Sequence, residues 1–261
     1  MAGGERRALV RRPGPRLAEG LVTHLERSAI DLAAAYRQWE GYVAALQGEG
    51  WEIVEVPPAD DCPDAVFVED TVVMYDDLAV ISLPGADSRR PETAGTEETL
   101  RSLGYRIAHL QLPGTLDGGD VLKHRDQVRV GLGGRTNPLG VAQLRSLLRP
   151  LGAVVTGVPV SLVLHLKSAV TALPDGTVLG YPPLVDDPAA WSPFLAVPEE
   201  PGAHVVVLDD ETVLMATSAP VTRDLLERRG LRVVAVDIGQ YELLEGCVTC
   251  LSVRLRTPPG G

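Results

Sequence analysis

Cys250 is the residue of this chain best suited to act as a nucleophile. It lies in the segment 245–250 (EGCVTC), at the entry to a predicted strand. The thiolate is the reactive form of cysteine, and it needs a cationic neighbour or a helix N-terminus to form at neutral pH. The alternative is that all three cysteines are small buried hydrophobic residues. Cys247 and Cys250 also form a Cys-x-x-Cys pair, but redox motifs of that type stand at a helix N-terminus, so the predicted strand disfavours dithiol chemistry.

His165 is the imidazole best placed to act as an acid or base. It interrupts the apolar run 162–166 (LVLHL), just before a predicted hairpin, and the other four histidines have no comparable setting. Imidazole titrates near neutral pH, which suits proton transfer. A lone histidine in apolar surroundings is also commonly a core residue with satisfied hydrogen bonds. Both interpretations stay open from the residues alone.

Two acidic clusters, at 64–70 (DAVFVED) and 117–120 (DGGD), occupy corresponding positions in predicted hairpins, and the first places Glu69 and Asp70 inside a buried strand predicted from Val66. Buried carboxylates are costly unless a positive group faces them. A guanidinium or amidinium ligand fits, because it presents paired donors to a carboxylate. The alternative is an internal ion pair with Arg89, Arg90 or Arg135. The pair Gly118-Gly119 indicates close backbone approach rather than phosphate binding, since no phosphate-loop or dinucleotide pattern is present.

The overall charge agrees with a cationic ligand. The 261 residues carry 24 Lys and Arg against 35 Asp and Glu, a net charge of −11, with 45% apolar content. This composition excludes disorder and disfavours nucleic acid as a partner. Three cysteines are too few for a disulfide framework and suit a reducing compartment, so we expect a cytoplasmic protein. The sequence predicts no signal peptide and no membrane-spanning run. No zinc-ligand spacing is present, and we expect neither metal nor cofactor.

The elements that must position these residues recur along the chain. Hairpin turns are predicted near residues 76, 126, 175 and 209, and a helix and a further strand follow each hairpin. The first two spacings, 50 and 49 residues, indicate a repeat architecture. The last segment, 247–256, is a surplus strand that could pair with 9–11 and close a ring. We predict about five hairpin-helix-strand units in one closed domain, the alternative being an open α/β sheet of unrelated units.

Six motifs then occur in the order of a known family, and they cover residues 9–255. They are 67–70 (FVED), 84–90 (PGADSRR), 116–121 (LDGGDV), 135–137 (RTN), 164–168 (LHLKS) and 249–252 (TCLS). Together they resemble the dimethylarginine dimethylaminohydrolase family of the guanidino-group-modifying superfamily. The resemblance implies an α/β fold, a five-bladed αβ propeller (pentein) with pseudo-fivefold repeats. It also implies a single catalytic domain over residues 1–261.

The resemblance implies hydrolysis of Nω-methylated arginines, asymmetric dimethylarginine and monomethylarginine, to citrulline and dimethylamine or methylamine. Cys250 would attack the guanidinium carbon to form a thiouronium intermediate, His165 would serve as acid and then base, and Asp117 would orient the imidazole. The remaining implied roles concern substrate binding. The guanidinium would contact Asp64, Glu69 and Asp70, the α-carboxylate Arg89 and Arg135, and the α-amino group the carbonyls of Leu21 and Leu244.

Other functions remain open at this point. An arginine deiminase would use the same residues on unmethylated arginine, although the chain leaves little room for the extra helical domain of deiminases. A transferase would need a second acceptor pocket, and a silent guanidine-binding protein would not need the full set of Cys250, His165 and Asp117. The expected partner is a small cationic substrate, with no nucleic acid and no membrane. The chain would be a monomer or a homodimer.

Overall fold

The structure, a computed structural model, describes residues 6–255. These residues form five three-stranded sheets, and in each sheet the middle strand pairs antiparallel with one neighbour and parallel with the other. The sheets are β15 (Val253–Leu255), β1 (Arg7–Val10) and β2 (Glu52–Glu55); β3 (Val72–Tyr75), β4 (Leu78–Ile81) and β5 (Arg106–His109); β6 (Val121–His124), β7 (Gln127–Leu132) and β8 (Val154–Pro159); β9 (Val170–Ala172), β10 (Val178–Gly180) and β11 (Phe194–Ala196); β12 (Val205–Val207), β13 (Thr212–Ala216) and β14 (Arg232–Val236). The predicted α/β propeller of five units is confirmed.

The two ends of the described chain close the ring. Strand β1 pairs antiparallel with β15, Leu9 opposite Val253, and parallel with β2, Leu9 opposite Val54. The predicted pairing of the last strand with the first is therefore confirmed, but the strand begins at Val253 rather than at Cys247, and Arg256 lies outside the described residues. Residues of β3, β6, β9, β12 and β15 line a central channel of about 810 Å³. The channel shows that the first strand of each hairpin faces the middle of the ring.

Helices cover the outside of four blades between the second and third strands. They are α1 (Leu32–Gly48), α2 (Thr93–Ser102), α3 (Pro138–Leu148) and α5 (Pro220–Arg228); two short helices, α4 (Leu166–Ala169) and α6 (Gly239–Glu242), lie before blade strands. Asp31 begins α1 by accepting a hydrogen bond from the backbone N–H of Ala34. The hydroxyl of Tyr42 donates to the carbonyl oxygen of Val248 at 2.8 Å. This bond ties α1 to the cysteine segment. Within residues 6–255, none of the helices is long and apolar enough to span a bilayer.

Two local predictions were wrong. The segment from Val66 was expected to be strand, but Val68–Thr71 is a 3-10 helical turn and only Val72 begins β3. The turn places Glu69 beside Lys167 and Asp70 beside Arg89, so each buried carboxylate has an ionic partner. A helix was expected between the hairpin and the third strand of every unit, but the fourth unit reaches β11 through two 3-10 turns, at Pro182–Leu184 and Pro188–Ala190. Because these proline-rich turns replace the crossover helix, the predicted turns near residues 175 and 209 are closer together than the other turns.

Candidate active site

The chemistry-bearing residues occupy equivalent places in four blades, at the turn that precedes the first strand. Asp70 lies before β3, Asp117 before β6, His165 before β9 and Cys250 before β15. Because the first strands surround the ring axis, the four turns converge at one end of it. Eight of the ten predicted site residues line one cavity there, namely Leu21, Asp64, Asp70, Arg89, Arg135, His165, Leu244 and Cys250. Asp117 stands behind His165, and Glu69 lies elsewhere.

His165 is a buried imidazolium between carboxylates. Its Nε2 lies 3.0 Å from Asp117 Oδ2 and its Nδ1 lies 3.8 Å from Asp70 Oδ1. Burial alone would lower the pKa of His165, but Asp70, Asp117 and Asp120 outweigh it and raise that pKa to about 9. The imidazole is therefore protonated at neutral pH. Because Nε2 is hydrogen-bonded to Asp117, Nδ1 is the nitrogen available to donate a hydrogen bond or a proton to a ligand.

Asp70 is held as a carboxylate. Its Oδ2 accepts from Arg89 NH1 at 2.6 Å and its Oδ1 accepts from the Gly119 N–H at 2.8 Å. Burial would raise the pKa of Asp70, but His165 and Arg89 hold it well below its usual range. A Cβ at Gly119 would lie 2.6 Å from Asp70 Oδ1 and 2.7 Å from His165 Nδ1. The glycine pair therefore serves close backbone approach, as predicted.

The two predicted arginines differ in how far they are already paired. Arg89 also binds Glu92, with Nε at 3.1 Å and NH2 at 2.8 Å, so it follows the internal ion-pair alternative while still lining the cavity. Arg135 is freer: its buried NH1 has no hydrogen-bond partner among residues 6–255 and lies 3.9 Å from Asp117 Oδ2. Arg135 therefore offers an unused donor group to an anion in the cavity.

Cys250 borders the cavity, whereas Cys247 lies behind it. The two sulfurs are 3.5 Å apart, and Cys247 Sγ is also 3.3 Å from Thr249 Oγ1. The hydrogen bond with Cys247 raises the pKa of the Cys250 thiol well above its ordinary value, and burial and the carboxylates of Glu69 and Asp70 act in the same direction. Cys250 is therefore a thiol before any cation enters.

Glu69 does not join the cavity as predicted. Its carboxylate lies 2.5 Å from Lys167 Nζ, accepts from Thr249 Oγ1 at 2.8 Å, and lines the central channel with Lys167, Thr249 and Arg254. Consecutive residues of the 3-10 turn point in different directions, so Asp70 faces the cavity and Glu69 faces the channel. Glu69 is therefore part of the layer of residues that separates the active-site cavity from the central channel, which we call the partition.

A segment near the start of the chain covers the cavity. The backbone N–H of Leu21 donates to Asp64 at 3.0 Å, and the N–H groups of Thr23, His24 and Leu25 all donate to Glu245 Oε1. The enclosed volume is about 10 Å³, room for about one water molecule. We call residues 17–25 the lid. A ligand larger than water requires the cavity lining to shift, and Leu21 of the lid is part of that lining.

Two residues of the site were missed by sequence reasoning. Asp120, which burial gives a pKa of about 6, accepts from Thr136 Oγ1 at 2.6 Å and from the N–H of Leu166 beside His165. Its place in the DGGD motif was the available signal. Glu245 has no such signal, because its contact with the lid joins residues more than 200 positions apart.

Asp70, Asp117 and His165 also form a candidate metal-binding group. Within residues 6–255 their ligand atoms lie within 4.8 Å of one another. A protonated imidazole carries hydrogen on both nitrogens and offers no lone pair to a metal. In this structure the trio is an imidazolium ion-paired with two carboxylates, so a metal ion would have to displace the imidazole proton.

A closed five-bladed αβ propeller with a thiol, an imidazolium and carboxylates at one end of its axis defines the guanidino-group-modifying class. No family model matches the chain. It is 62% identical over 251 residues, 96% of the chain and 97% of the relative, to an N(G),N(G)-dimethylarginine dimethylaminohydrolase of Streptomyces coelicolor. The chain belongs to the dimethylarginine dimethylaminohydrolase family.

Two solved structures share the fold over the same extent. A histidine-to-glycine variant of dimethylarginine dimethylaminohydrolase in an adduct with S-methyl-L-thiocitrulline has a TM-score of 0.90 at 32% identity. A cysteine-to-serine variant of the Pseudomonas aeruginosa enzyme complexed with citrulline has a TM-score of 0.89 at 32% identity. Each comparison covers 97% of this chain and 100% of the other.

Proposed function

We propose that the protein hydrolyses Nω-methylated arginines to citrulline and dimethylamine or methylamine, with Cys250 as the nucleophile. One observation carries the proposal: a thiol, an imidazolium and the carboxylates Asp64 and Asp70 line a single cavity. Carboxylates select a cation, the thiol can attack its carbon, and the imidazolium can protonate a departing amine. The citrulline complex of a relative supports the same product.

Substrate binding supplies the missing thiolate. A guanidinium beside Asp70 brings positive charge near Cys250, which favours the ionised thiol and opposes the effects that raise its pKa in the empty site. The proton leaves to solvent and the thiolate adds to the guanidinium carbon. His165 then gives its proton to the methylated nitrogen, the carbon–nitrogen bond breaks, and the amine departs from a Cys250 thiouronium.

The second half-reaction returns the enzyme to its starting state. His165, now neutral, takes a proton from water while the hydroxide adds to the thiouronium carbon. Collapse of this adduct breaks the carbon–sulfur bond and forms the carbonyl of citrulline, and the hydroxyl proton restores the Cys250 thiol. Asp117 stabilises the imidazolium at both stages through its 3.0 Å contact.

The amino-acid end of the substrate meets the lid side of the cavity. The unpaired NH1 of Arg135 supports its role as the main contact for the α-carboxylate, and Arg89, already bound to Asp70 and Glu92, serves chiefly to fix Asp70. Leu21 and Leu244 both border the cavity, which supports their carbonyls as acceptors for the α-amino group. Glu69 has no place in this set.

Labelling of the nucleophile tests the proposal directly. Turnover of asymmetric dimethylarginine is quenched in acid, the protein is digested, and the mass of the peptide that contains Cys250 is measured by mass spectrometry. We expect a substrate-derived adduct on Cys250, no citrulline from Cys250→Ser, and normal turnover from the control Cys62→Ser, because Cys62 is outside the cavity. Full activity of Cys250→Ser would overturn the assignment.

The setting of the enzyme is part of the same proposal. Three free cysteines suit a reducing compartment, so we place it in the cytoplasm, acting on a small cationic substrate as a monomer or homodimer. The residues 1–261 would act as one catalytic domain.

A further inference from the structure

Cys247 and Cys250 form a close dithiol that the proposed hydrolysis does not use. Their sulfurs lie 3.5 Å apart, and both side chains are buried, at 4% and 6% exposure. The hydrolytic steps need one sulfur, since water completes the second half-reaction. The second sulfur therefore calls for another explanation.

The backbone between the two cysteines suits a disulfide. The N–H of Cys250 donates to the carbonyl oxygen of Cys247 at 3.1 Å, which makes residues 247–250 a hydrogen-bonded turn. Such a turn holds its end Cα atoms within about 7 Å, close to the usual disulfide range of about 4.4–6.8 Å. The sulfurs must approach by only roughly 1.5 Å to bond, a movement that side-chain rotation can supply.

Access to the two sulfurs is unequal. Cys250 borders the active-site cavity, while Cys247 borders neither that cavity nor the central channel. A small oxidant that enters by the substrate route meets Cys250 first. Cys247 is then the nearest thiol to any oxidised Cys250. The pair therefore has the order of access that a sulfenic acid at Cys250 and a resolving thiol at Cys247 require.

We propose that Cys247 and Cys250 are a site of reversible oxidation, at which a hydroperoxide converts the dithiol to a disulfide that switches the hydrolase off and protects its nucleophile. Cys250 first loses its proton to solvent; the thiolate attacks one peroxide oxygen, the oxygen–oxygen bond breaks, and the leaving hydroxide takes a proton from solvent to form water, or the leaving alkoxide forms an alcohol from an organic peroxide. Cys247 sulfur then attacks the sulfenic sulfur, the sulfur–oxygen bond breaks, and a second water leaves with the Cys247 proton. The two thiols have lost two electrons to the peroxide.

Reduction by a dithiol reverses the step through a mixed disulfide and returns both thiols. Without Cys247, the sulfenic acid at Cys250 would be open to further peroxide and to irreversible sulfinic and sulfonic acids. The loss of activity rests on Cys250 being the nucleophile of the proposed function. Formation of the disulfide does not, so the two can fail separately.

The wild-type protein is titrated with hydrogen peroxide, and three quantities are measured: the number of free thiols, the mass of the chain and the rate of citrulline production. We expect two of the three thiols to disappear, the chain to lose two hydrogens in mass, and a peptide pair linked through Cys247 and Cys250, all reversed by dithiothreitol. Peroxide that adds oxygen to Cys250 while Cys247 stays a free thiol would overturn the proposal. Disulfide formation without loss of citrulline production would leave the oxidation site standing and refute Cys250 as nucleophile.

Two variants test whether Cys247 protects Cys250 from irreversible oxidation or merely lies close to it. Cys247→Ser keeps a small hydrogen-bonding group and is expected to turn over substrate. After excess peroxide has carried its Cys250 to the sulfinic or sulfonic acid, the lost activity should not return with dithiothreitol. Cys62→Ser, the matched control, should recover as the wild type does. If Cys247→Ser and the wild type recovered the same fraction of their activity, the protective role would be refuted, even if the wild type forms the disulfide.

Discussion

Replacing Asp117 by asparagine tests the source of the positive charge at His165. The substitution keeps the size of the side chain, removes one carboxylate from Nε2, and leaves the cavity lining unchanged, because Asp117 does not border it. Without that charge the imidazolium is less stabilised, so its pKa must fall. The direction follows because carboxylates favour the protonated imidazole.

The structure sets the size of the effect. The pKa of His165 rises from 6.5 to about 9, a difference of about 2.5, and three carboxylates produce it against the opposing effect of burial. A carboxylate in contact with an imidazolium shifts its pKa by roughly one unit or more, and Asp117 lies 3.0 Å from Nε2; one unit corresponds to about 1.4 kcal/mol. We therefore expect the pKa of His165 to drop by about one unit in Asp117→Asn.

The assay is an NMR titration of histidine-labelled protein, with the His165 resonance assigned by its absence in His165→Ala. Asp77→Asn is the control, because it removes the same charge from an exposed pair with Arg106. We also expect kcat for citrulline formation to fall by at least about tenfold with little change in KM, since the acid is misaligned but the pocket is intact. A His165 titration that is the same in wild type and Asp117→Asn would refute the reasoning.

Three further predictions concern the lid, the partition and the carboxylate contact. Glu245→Gln weakens the charge-assisted hydrogen bonds to the lid. The backbone amides of residues 23–25 should therefore exchange hydrogen faster, and kcat/KM should fall by roughly threefold to tenfold. The control Glu227→Gln, at an exposed position, should change neither quantity. Glu69→Gln leaves the largely buried ammonium of Lys167 without its charge partner, so the free energy of unfolding in urea should fall by about 3 kcal/mol; an unchanged midpoint would contradict the partition role. Arg135→Ala should raise KM by roughly 10- to 100-fold with a smaller effect on kcat, and a KM equal to wild type would place the substrate carboxylate elsewhere.

The repeat was readable from the sequence because its signals are local. Turn residues near 76, 126, 175 and 209 mark the hairpins, and the surplus strand at the end of the chain predicted closure on the first strand. A third strand was expected in every unit, but the position of the one in the fourth blade, Phe194–Ala196, could not be predicted for a physical reason. It has three residues, too few for alternation to show, and it follows a stretch whose prolines favour turns.

Site positions were predictable by residue type but not by orientation. Cys250, His165 and Asp70 meet as expected, because equivalent turns converge on the ring axis. The side on which Glu69 falls depends on a 3-10 turn that the apolar pattern reads as strand. The pairing of Glu245 with the lid joins the two ends of the chain, and no local pattern encodes such a contact.

A competition between two substrates tests the central claim most directly. The protein is given equal concentrations of asymmetric dimethylarginine and arginine, and dimethylamine and ammonia are measured as citrulline forms. The proposed function predicts that dimethylamine is the main amine released. Ammonia as the main product would contradict it and assign the same cysteine, histidine and carboxylates to an arginine deiminase.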